Sequence, residues 1–110
     1  MNQAIADLSG NTFFELRLRQ AILAAQHDVK QVGLLLVDIE GTDNFPIQDS
    51  DLSTEFFEKI WIRLRTVLRD SDTIVRMEGG ELAVLLPSVA GPDDVIFVAQ
   101  KVLSKLEEPL

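Results

Sequence analysis

The chain has 110 residues, 46% of them hydrophobic and 25% charged, which is enough for one globular domain with a buried core and too apolar for disorder. Eighteen acidic residues against ten Lys and Arg give a net charge of −8. We therefore expect binding neither to nucleic acid nor to an anionic membrane surface, since both are bound through basic patches. The lack of cysteine excludes disulfides and thiol chemistry and fits a reducing cytoplasm. No apolar run approaches the roughly 18 residues of a spanning helix, so no membrane insertion is expected.

Residues 1–11 are weakly patterned and are predicted to form a flexible leader, with residues 12–110 as a single domain. Thr12 and Glu15 have the spacing of a capping box, which predicts a helix from Thr12 to about Gln26. The apolar stripe of this helix consists of Phe14, Leu18, Ile22 and Ala25.

Gly33–Glu40 is apolar with no alternation until its end, which predicts a strand buried on both faces. A polar segment follows, and Ser50 or Ser53 then caps a helix to about Arg69. The helical spacing of its apolar residues predicts a buried stripe of Leu52, Phe56, Phe57, Ile60, Trp61, Leu64, Val67 and Leu68.

Gly79-Gly80 separates two aliphatic runs, the pattern of a hairpin with a two-residue type I′ turn. Thr73–Glu78 and Glu81–Leu86 are therefore predicted to pair as antiparallel strands, with Pro87 ending the second. Gly91-Pro92-Asp93-Asp94 opens a last helix, since proline and acids favour the first turn. Its predicted buried face is Val95, Val98, Ala99, Val102, Leu103 and Leu106.

These elements predict an α+β fold with an antiparallel sheet: an N-terminal helix followed by β-α-β-β-α, which is a ferredoxin-like unit with its last strand missing. The missing strand would pair with Gly33–Glu40, so that strand is expected to be an exposed edge. Because a long apolar edge is a template for association, we predict a homodimer through the Gly33–Glu40 edge.

Two groups of acids meet in this topology, at the end of the Gly33–Glu40 strand and at the hairpin tip with Glu78 and Glu81. Such carboxylates could hold a divalent cation, although a solvated acidic cluster is the simpler interpretation. His27 is the single histidine and is interpreted as a solvated helix end.

Three segments resemble the GGDEF domain of bacterial diguanylate cyclases, which condense two GTP molecules into cyclic di-GMP. They are L-L-L-V-D-I-E, R-D-S-D-T-I-V-R-M-E-G-G-E-L-A-V-L-L-P and V-A-Q-K-V-L-S-K-L-E-E-P-L. The resemblance implies that Asp38 is the metal aspartate of the first strand and that the hairpin carries the signature.

The signature is degenerate here, because it reads Glu78-Gly79-Gly80-Glu81-Leu82. The resemblance puts Gly80 where the family has a metal-binding acid and keeps Glu81 at the fourth, acidic position. Pro46 and Thr54 stand near the family's guanine-reading positions, and the basic residues that follow the family's last strand are missing. We therefore expect no catalysis and no cofactor, with Mg²⁺ bound weakly, if at all, by Asp38 and Glu81.

Arg69-Asp70-Ser71-Asp72 matches the R-x-x-D motif that many GGDEF domains use as an allosteric cyclic di-GMP site. An arginine guanidinium can donate two parallel hydrogen bonds to a guanine edge or a phosphate, and an aspartate can accept hydrogen bonds from guanine N–H groups. The structural alternative is that Arg69 lies in the last turn of a helix and that Asp72 opens a strand.

Four functions follow from these patterns. The first is a catalytically inactive GGDEF-like signalling module that acts through protein interaction or dimerisation. The second is a cyclic di-GMP receptor that uses Arg69 and Asp72, and the third is an active diguanylate cyclase fragment. The fourth is an unrelated ferredoxin-like domain, which the spacing of Asp38 and Pro87 disfavours.

Overall fold

The computed structural model describes residues 10–38, 50–77 and 81–109. Its elements in chain order are α1 (Gly10–Asp28), β1 (Gln31–Val37), α2 (Ser50–Arg65), β2 (Thr73–Arg76), β3 (Leu82–Val89) and α3 (Pro92–Glu107). The three strands form one antiparallel sheet in the order β1-β3-β2. The predicted α+β class and the antiparallel sheet are therefore confirmed, and among the described strands the first one lies at an edge, as predicted.

Helix α1 covers one face of the sheet and begins at Gly10, two residues before the predicted cap at Thr12. Glycine suits this start, because a β-carbon on Gly10 would collide with the carbonyl oxygen of Arg76. The remaining part of the predicted leader, residues 1–9, lies outside the described residues. The core on this face consists of Phe14, Ala21, Val75, Ala83 and Leu85.

The end of α1 is fixed by backbone hydrogen bonding. The Lys30 N–H donates to the Ala25 carbonyl at 2.9 Å, and Val29 between them has a φ of 56°. This is the Schellman arrangement, in which a left-handed residue closes the helix. A β-branched residue rarely adopts that conformation, so the closure at Val29 is strained.

From Gly33 onward, buried or half-buried residues of strand β1 alternate with exposed ones, so the prediction that the strand is buried on both faces is wrong. Leu35 and Val37 pack toward α2 and α3, whereas Leu34 and Leu36 are 41% and 61% exposed. The physical reason is the edge position of β1, where α1 covers only part of the strand. The strand also starts at Gln31, two residues earlier than predicted, and residues 39 and 40 lie outside the described part.

Helices α2 and α3 cover the other face of the sheet. Their buried core with β3 and the turn after α2 consists of Phe57, Ile60, Leu64, Leu68, Leu82, Val84, Leu86, Val89 and Val102. The prediction that Trp61 and Leu103 belong to the core is wrong, because these residues are 49% and 57% exposed. Each of them directly follows a buried residue of its helix and is therefore rotated by about 100° about the helix axis, away from the buried position. The Trp61 ring is instead approached by the Arg65 guanidinium, 5.8 Å from its centroid.

Gly33 allows close packing between β1 and α3. A β-carbon at this position would lie 2.8 Å from Cγ2 of Val95, nearer than side-chain atoms tolerate. Glycine therefore lets the third helix approach the edge strand.

Helix α2 ends at Arg65, four residues before the predicted end at Arg69. The Val67 N–H donates to the Leu64 carbonyl at 3.0 Å, an i-to-i+3 bond that tightens the chain into a turn. Arg69 therefore lies in a connecting turn, and its predicted position in the last turn of the helix is wrong.

The hairpin pairs Arg76 with Leu82, and the Met77 N–H donates to the Glu81 carbonyl at 2.8 Å. Three residues lie between Met77 and Glu81, so the register predicted from a two-residue turn at Gly79-Gly80 is wrong. Residues 78–80 lie outside the described residues.

Strand β3 continues through Pro87 to Val89, so the prediction that Pro87 ends it is wrong. The strand carries one extra residue between its pairings with Gly33 and Gln31. Pro87 falls in this bulge and beyond the last pair with β2, where its missing N–H removes no ladder bond. Separately, none of the helices in the described ranges is long and apolar enough to cross a bilayer.

Candidate functional site

The sheet brings two sequence-predicted metal ligands to the same end. Val37 of β1 pairs with Leu82 of β3, and Asp38 and Glu81 are the next residues in that register. Both side chains belong to exposed residues. Facing carboxylates on neighbouring strands repel one another, so a cation between them would be stabilising.

This pair is a small donor set for a divalent cation. The parts of the chain that the structure describes contain no group of three or more His, Cys, Asp or Glu residues placed to hold a metal. Mg²⁺ in phosphoryl-transfer centres is held by carboxylates together with substrate phosphates, and a two-metal centre needs several such ligands. Asp38 and Glu81 alone do not fit a two-metal centre, and glycine at position 80 has no side chain to add.

The Arg69-x-x-Asp72 motif forms a closed turn after α2. The buried Asp72 carboxylate accepts a hydrogen bond from the Arg69 backbone N–H at 2.8 Å. The Arg69 guanidinium lies 3.5 Å from the same carboxylate and donates to the Ser88 carbonyl at 2.8 Å. Arg65 donates to the Asp72 carbonyl at 2.6 Å and also to the Arg69 carbonyl. Both motif residues therefore hold the turn against β3.

One side of the motif opens into a cleft of about 290 Å³, called here the Arg69 cleft. Its walls are Val67, Arg69, Asp72, Val89, Asp94, Phe97, Val98 and Lys101. The Lys101 ammonium lies 4.3 Å from the centroid of the Phe97 ring, a cation–π contact. Two cationic groups, the carboxylates of Asp72 and Asp94 and an exposed aromatic ring line the cleft, so it can accept a planar ligand that carries both anionic and hydrogen-bond-donating groups.

Sequence reasoning missed Phe97 and Lys101 as members of this cleft. Their only signal was their position on α3, Phe97 and Lys101 being one turn apart and outside the predicted buried face. Nothing in the sequence placed that side of α3 against the Arg69 turn.

Other predicted positions give less information. Pro46 and the side chain of Thr54 lie outside what the structure describes. The Arg76 guanidinium lies 3.9 Å from the centroid of the Phe57 ring.

Comparison with known proteins agrees with this geometry. The family model "Diguanylate cyclase, GGDEF domain" matches residues 4–110. The chain is 27% identical to the diguanylate cyclase TpbB of Pseudomonas aeruginosa, over 99% of this chain and 25% of TpbB. It is also 27% identical to the bifunctional diguanylate cyclase/cyclic di-GMP phosphodiesterase MucR of the same species, over 99% of this chain and 16% of MucR. The chain thus spans about a quarter or less of these relatives.

Solved structures show the same likeness. The crystal structure of the GGDEF domain of TpbB matches with a TM-score of 0.76 at 28% identity, over 90% of this chain and 62% of that one. An EAL/GGDEF domain protein from M. capsulatus matches with a TM-score of 0.64 at 32% identity, over 86% of this chain and 61% of that one. The chain therefore belongs to the GGDEF family of diguanylate cyclase domains.

Proposed function

We propose that this chain is a catalytically silent GGDEF domain that acts in cyclic di-GMP signalling through protein interaction. Family membership supplies the signalling context. The cysteine-free sequence suits a cytoplasmic protein, which is the location that we propose. Both TpbB and MucR are larger proteins in which a domain of this kind is joined to other sequence. The silent domain would then transmit or receive a signal by contact.

One observation carries the proposal: glycine at position 80 replaces the third signature acid, and the described carboxylates at this sheet end are Asp38 and Glu81. Phosphoryl transfer from GTP depends on metal ions that neutralise the charge developing on the phosphates. Two exposed carboxylates provide weak cation binding and no fixed two-metal geometry. Loss of a shared ligand should therefore lower turnover by orders of magnitude.

The first prediction is that the purified chain, incubated with GTP and Mg²⁺ or Mn²⁺, produces no cyclic di-GMP detectable by liquid chromatography. An active diguanylate cyclase at the same concentration serves as the positive control. Asp38→Asn is the matched variant, because it removes one of the two remaining candidate metal ligands. Product that persists unchanged in this variant would come from a contaminant. Product from the native chain that disappears in Asp38→Asn would contradict the proposal and restore the cyclase hypothesis.

A second candidate function is a cyclic di-GMP receptor, and the Arg69 cleft favours it. Arg69 and Lys101 could contact phosphates, Asp94 in the same lining could accept guanine N–H groups, and Phe97 provides a ring on which a guanine base could stack. The exposed side of Arg69 could contact a phosphate, although Asp72 is engaged in holding the turn.

The second prediction concerns this receptor candidate: calorimetric titration with cyclic di-GMP gives micromolar binding, and Arg69→Ala weakens it roughly tenfold or more by removing a charge-assisted contact. Arg19→Ala, on the far side of the sheet in α1, is the control. If the native chain gives no heat of binding, the receptor candidate is wrong. If Arg69→Ala binds as tightly as the native chain, the dinucleotide does not bind at this cleft.

A further inference from the structure

One flank of α2 carries four side chains that are complementary to a second copy of themselves. Trp61, Ile62 and Arg65 follow Glu58 by three, four and seven residues, so the four lie on one ridge of the helix. Trp61 and Ile62 are 49% and 63% exposed, and together with Glu58 they line a surface depression of about 310 Å³. Exposed apolar side chains that adjoin one another in this way are typical of a protein–protein contact.

This ridge points away from α3 and lies on the β2 side of the sheet. Arg63, on the nearly opposite flank of α2, donates to a backbone carbonyl near the end of α3 at 3.3 Å. The Arg76 guanidinium of β2 lies 3.9 Å from the centroid of the Phe57 ring of α2, whereas α3 packs over β1, where Val95 approaches Gly33. A strand added after α3, as in a ferredoxin-like unit, would join the sheet beside β1, at the opposite edge from this ridge.

We propose that the ridge of α2 pairs antiparallel with the same ridge of a second copy, with the two-fold axis between Trp61 and Ile62. The Trp61 and Ile62 side chains of both copies then pack around the axis. Glu58 of each copy faces Arg65 of the other. The inference rests on the proposed function, because it names the partner and the surface of the protein interaction proposed there.

Charge selects the antiparallel arrangement. Glu58 and Arg65 stand at the two ends of the ridge, about 10 Å apart along the helix, so reversing one helix brings each acid opposite a base. A parallel pair would instead place Glu58 beside Glu58 and Arg65 beside Arg65, and like charges at such short range repel. In the ranges that the structure describes neither residue forms an ion pair, since Arg65 donates to backbone carbonyls of the following turn.

Arg65 is already held in place for this contact. Its guanidinium donates to the Asp72 carbonyl at 2.6 Å and lies 5.8 Å from the centroid of the Trp61 ring. An arginine fixed in this way loses little side-chain entropy when it meets a carboxylate. Arginine and tryptophan are also enriched among the residues that contribute most to binding. The ridge can therefore associate with little reorganisation.

The contact is small, because it joins one flank of two helices. We therefore expect a weak dimer, smaller than a standard interface, that dissociates at the micromolar concentrations of circular dichroism. A weak contact of this kind suits a domain that is joined to other sequence, since tethering raises the effective concentration of a second site to about millimolar.

Charge reversal tests the pairing. Sedimentation equilibrium of the full chain, carried to millimolar concentration, should show monomer and dimer in equilibrium. Glu58→Lys should raise the dissociation constant roughly tenfold, since it places a lysine opposite Arg65 at both ends of the contact. Glu15→Lys makes the same change in net charge at an exposed position of α1, on the other face of the sheet, and should not weaken the dimer. Circular dichroism checks that both variants fold.

Disulfide trapping tests the register, because the chain has no cysteine of its own. Ile62→Cys puts two thiols close together at the axis, so oxidation should give a covalent dimer much faster than in Glu15→Cys, which measures random collision. Glu58→Cys should not exceed that collision rate, since its two thiols lie about 10 Å apart along antiparallel helices. Rapid trapping of Glu58→Cys would indicate a parallel pair and would overturn the proposal.

A native chain that stays monomeric to millimolar concentration overturns the pairing. A dimer that Glu58→Lys does not weaken overturns it as well, and so does trapping of Ile62→Cys no faster than that of Glu15→Cys, because such a dimer would use another surface. Cyclic di-GMP production by the same samples would contradict the silent-domain proposal alone, whereas a monomer without cyclase activity would contradict the pairing alone.

Discussion

Replacing Leu64 with alanine is expected to lower the free energy of unfolding by about 2–5 kcal/mol, the usual cost of an emptied core position. Leu64 is 0% exposed and lies on α2 between the sheet and α3, in the cluster with Leu86 and Val102. The substitution removes apolar contacts from both layers, and the backbone of a packed helix can close the cavity only partly. Because a small domain has roughly 5–15 kcal/mol of stability in total, this change should lower the denaturation midpoint markedly.

Ile62→Ala is the matched control for this prediction. Ile62 lies on the same helix two residues away, loses a similar number of methyl groups, and is 63% exposed. Urea denaturation followed by circular dichroism should show a change within about 0.5 kcal/mol for Ile62→Ala, as expected for a surface position. Equal losses at the two positions would mean that the face of α2 assigned to the core is wrong.

The sequence predicted which elements exist more reliably than which faces they bury. Helical spacing, the apolar run that begins at Gly33 and the Gly79-Gly80 pair located the three helices and three strands that the described residues form. On α2, however, Ile60, Trp61 and Ile62 are consecutive apolar residues, so periodicity alone could not decide which of them faces the sheet. That choice depends on how the helix docks, which is a tertiary property.

Strand β1 shows a similar limit. An unbroken apolar run is typical of a strand buried on both faces, but a run at a sheet edge can leave one face partly open. Leu34 and Leu36 are exposed because of where β1 lies in the sheet, and no local pattern encodes that position.

The sequence identified residues of the candidate sites, but it did not identify the other residues that surround them. Register follows from the pairing of β1 with β3, so the facing of Asp38 and Glu81 was accessible from topology. The Arg69 cleft was not, because Lys101, which lines it, lies on a helix and follows Arg69 by 32 residues in the chain. The early end of α2 also depends on Arg65, whose guanidinium bonds to carbonyls of the turn that follows.

Replacing Asp72 with alanine is expected to lower the free energy of unfolding by about 1–3 kcal/mol, the cost of removing a buried hydrogen-bond acceptor. The Asp72 residue is 4% exposed, and its carboxylate accepts the Arg69 N–H at 2.8 Å while lying 3.5 Å from the Arg69 guanidinium. Without it, the turn between α2 and β2 loses the bond that closes it. The same denaturation measurement tests this expectation.

Asp70→Ala is the control, because Asp70 is an exposed residue of the same turn and should change stability little. Asp72→Asn should fall between the native chain and Asp72→Ala, since the amide oxygen can still accept the Arg69 N–H but carries no charge for the guanidinium. A stable Asp72→Ala that loses cyclic di-GMP binding would mean that the carboxylate serves a ligand and not the turn. An unstable Asp72→Ala would instead show that Arg69, which keeps much of its side chain exposed, is the sounder position for testing the receptor candidate.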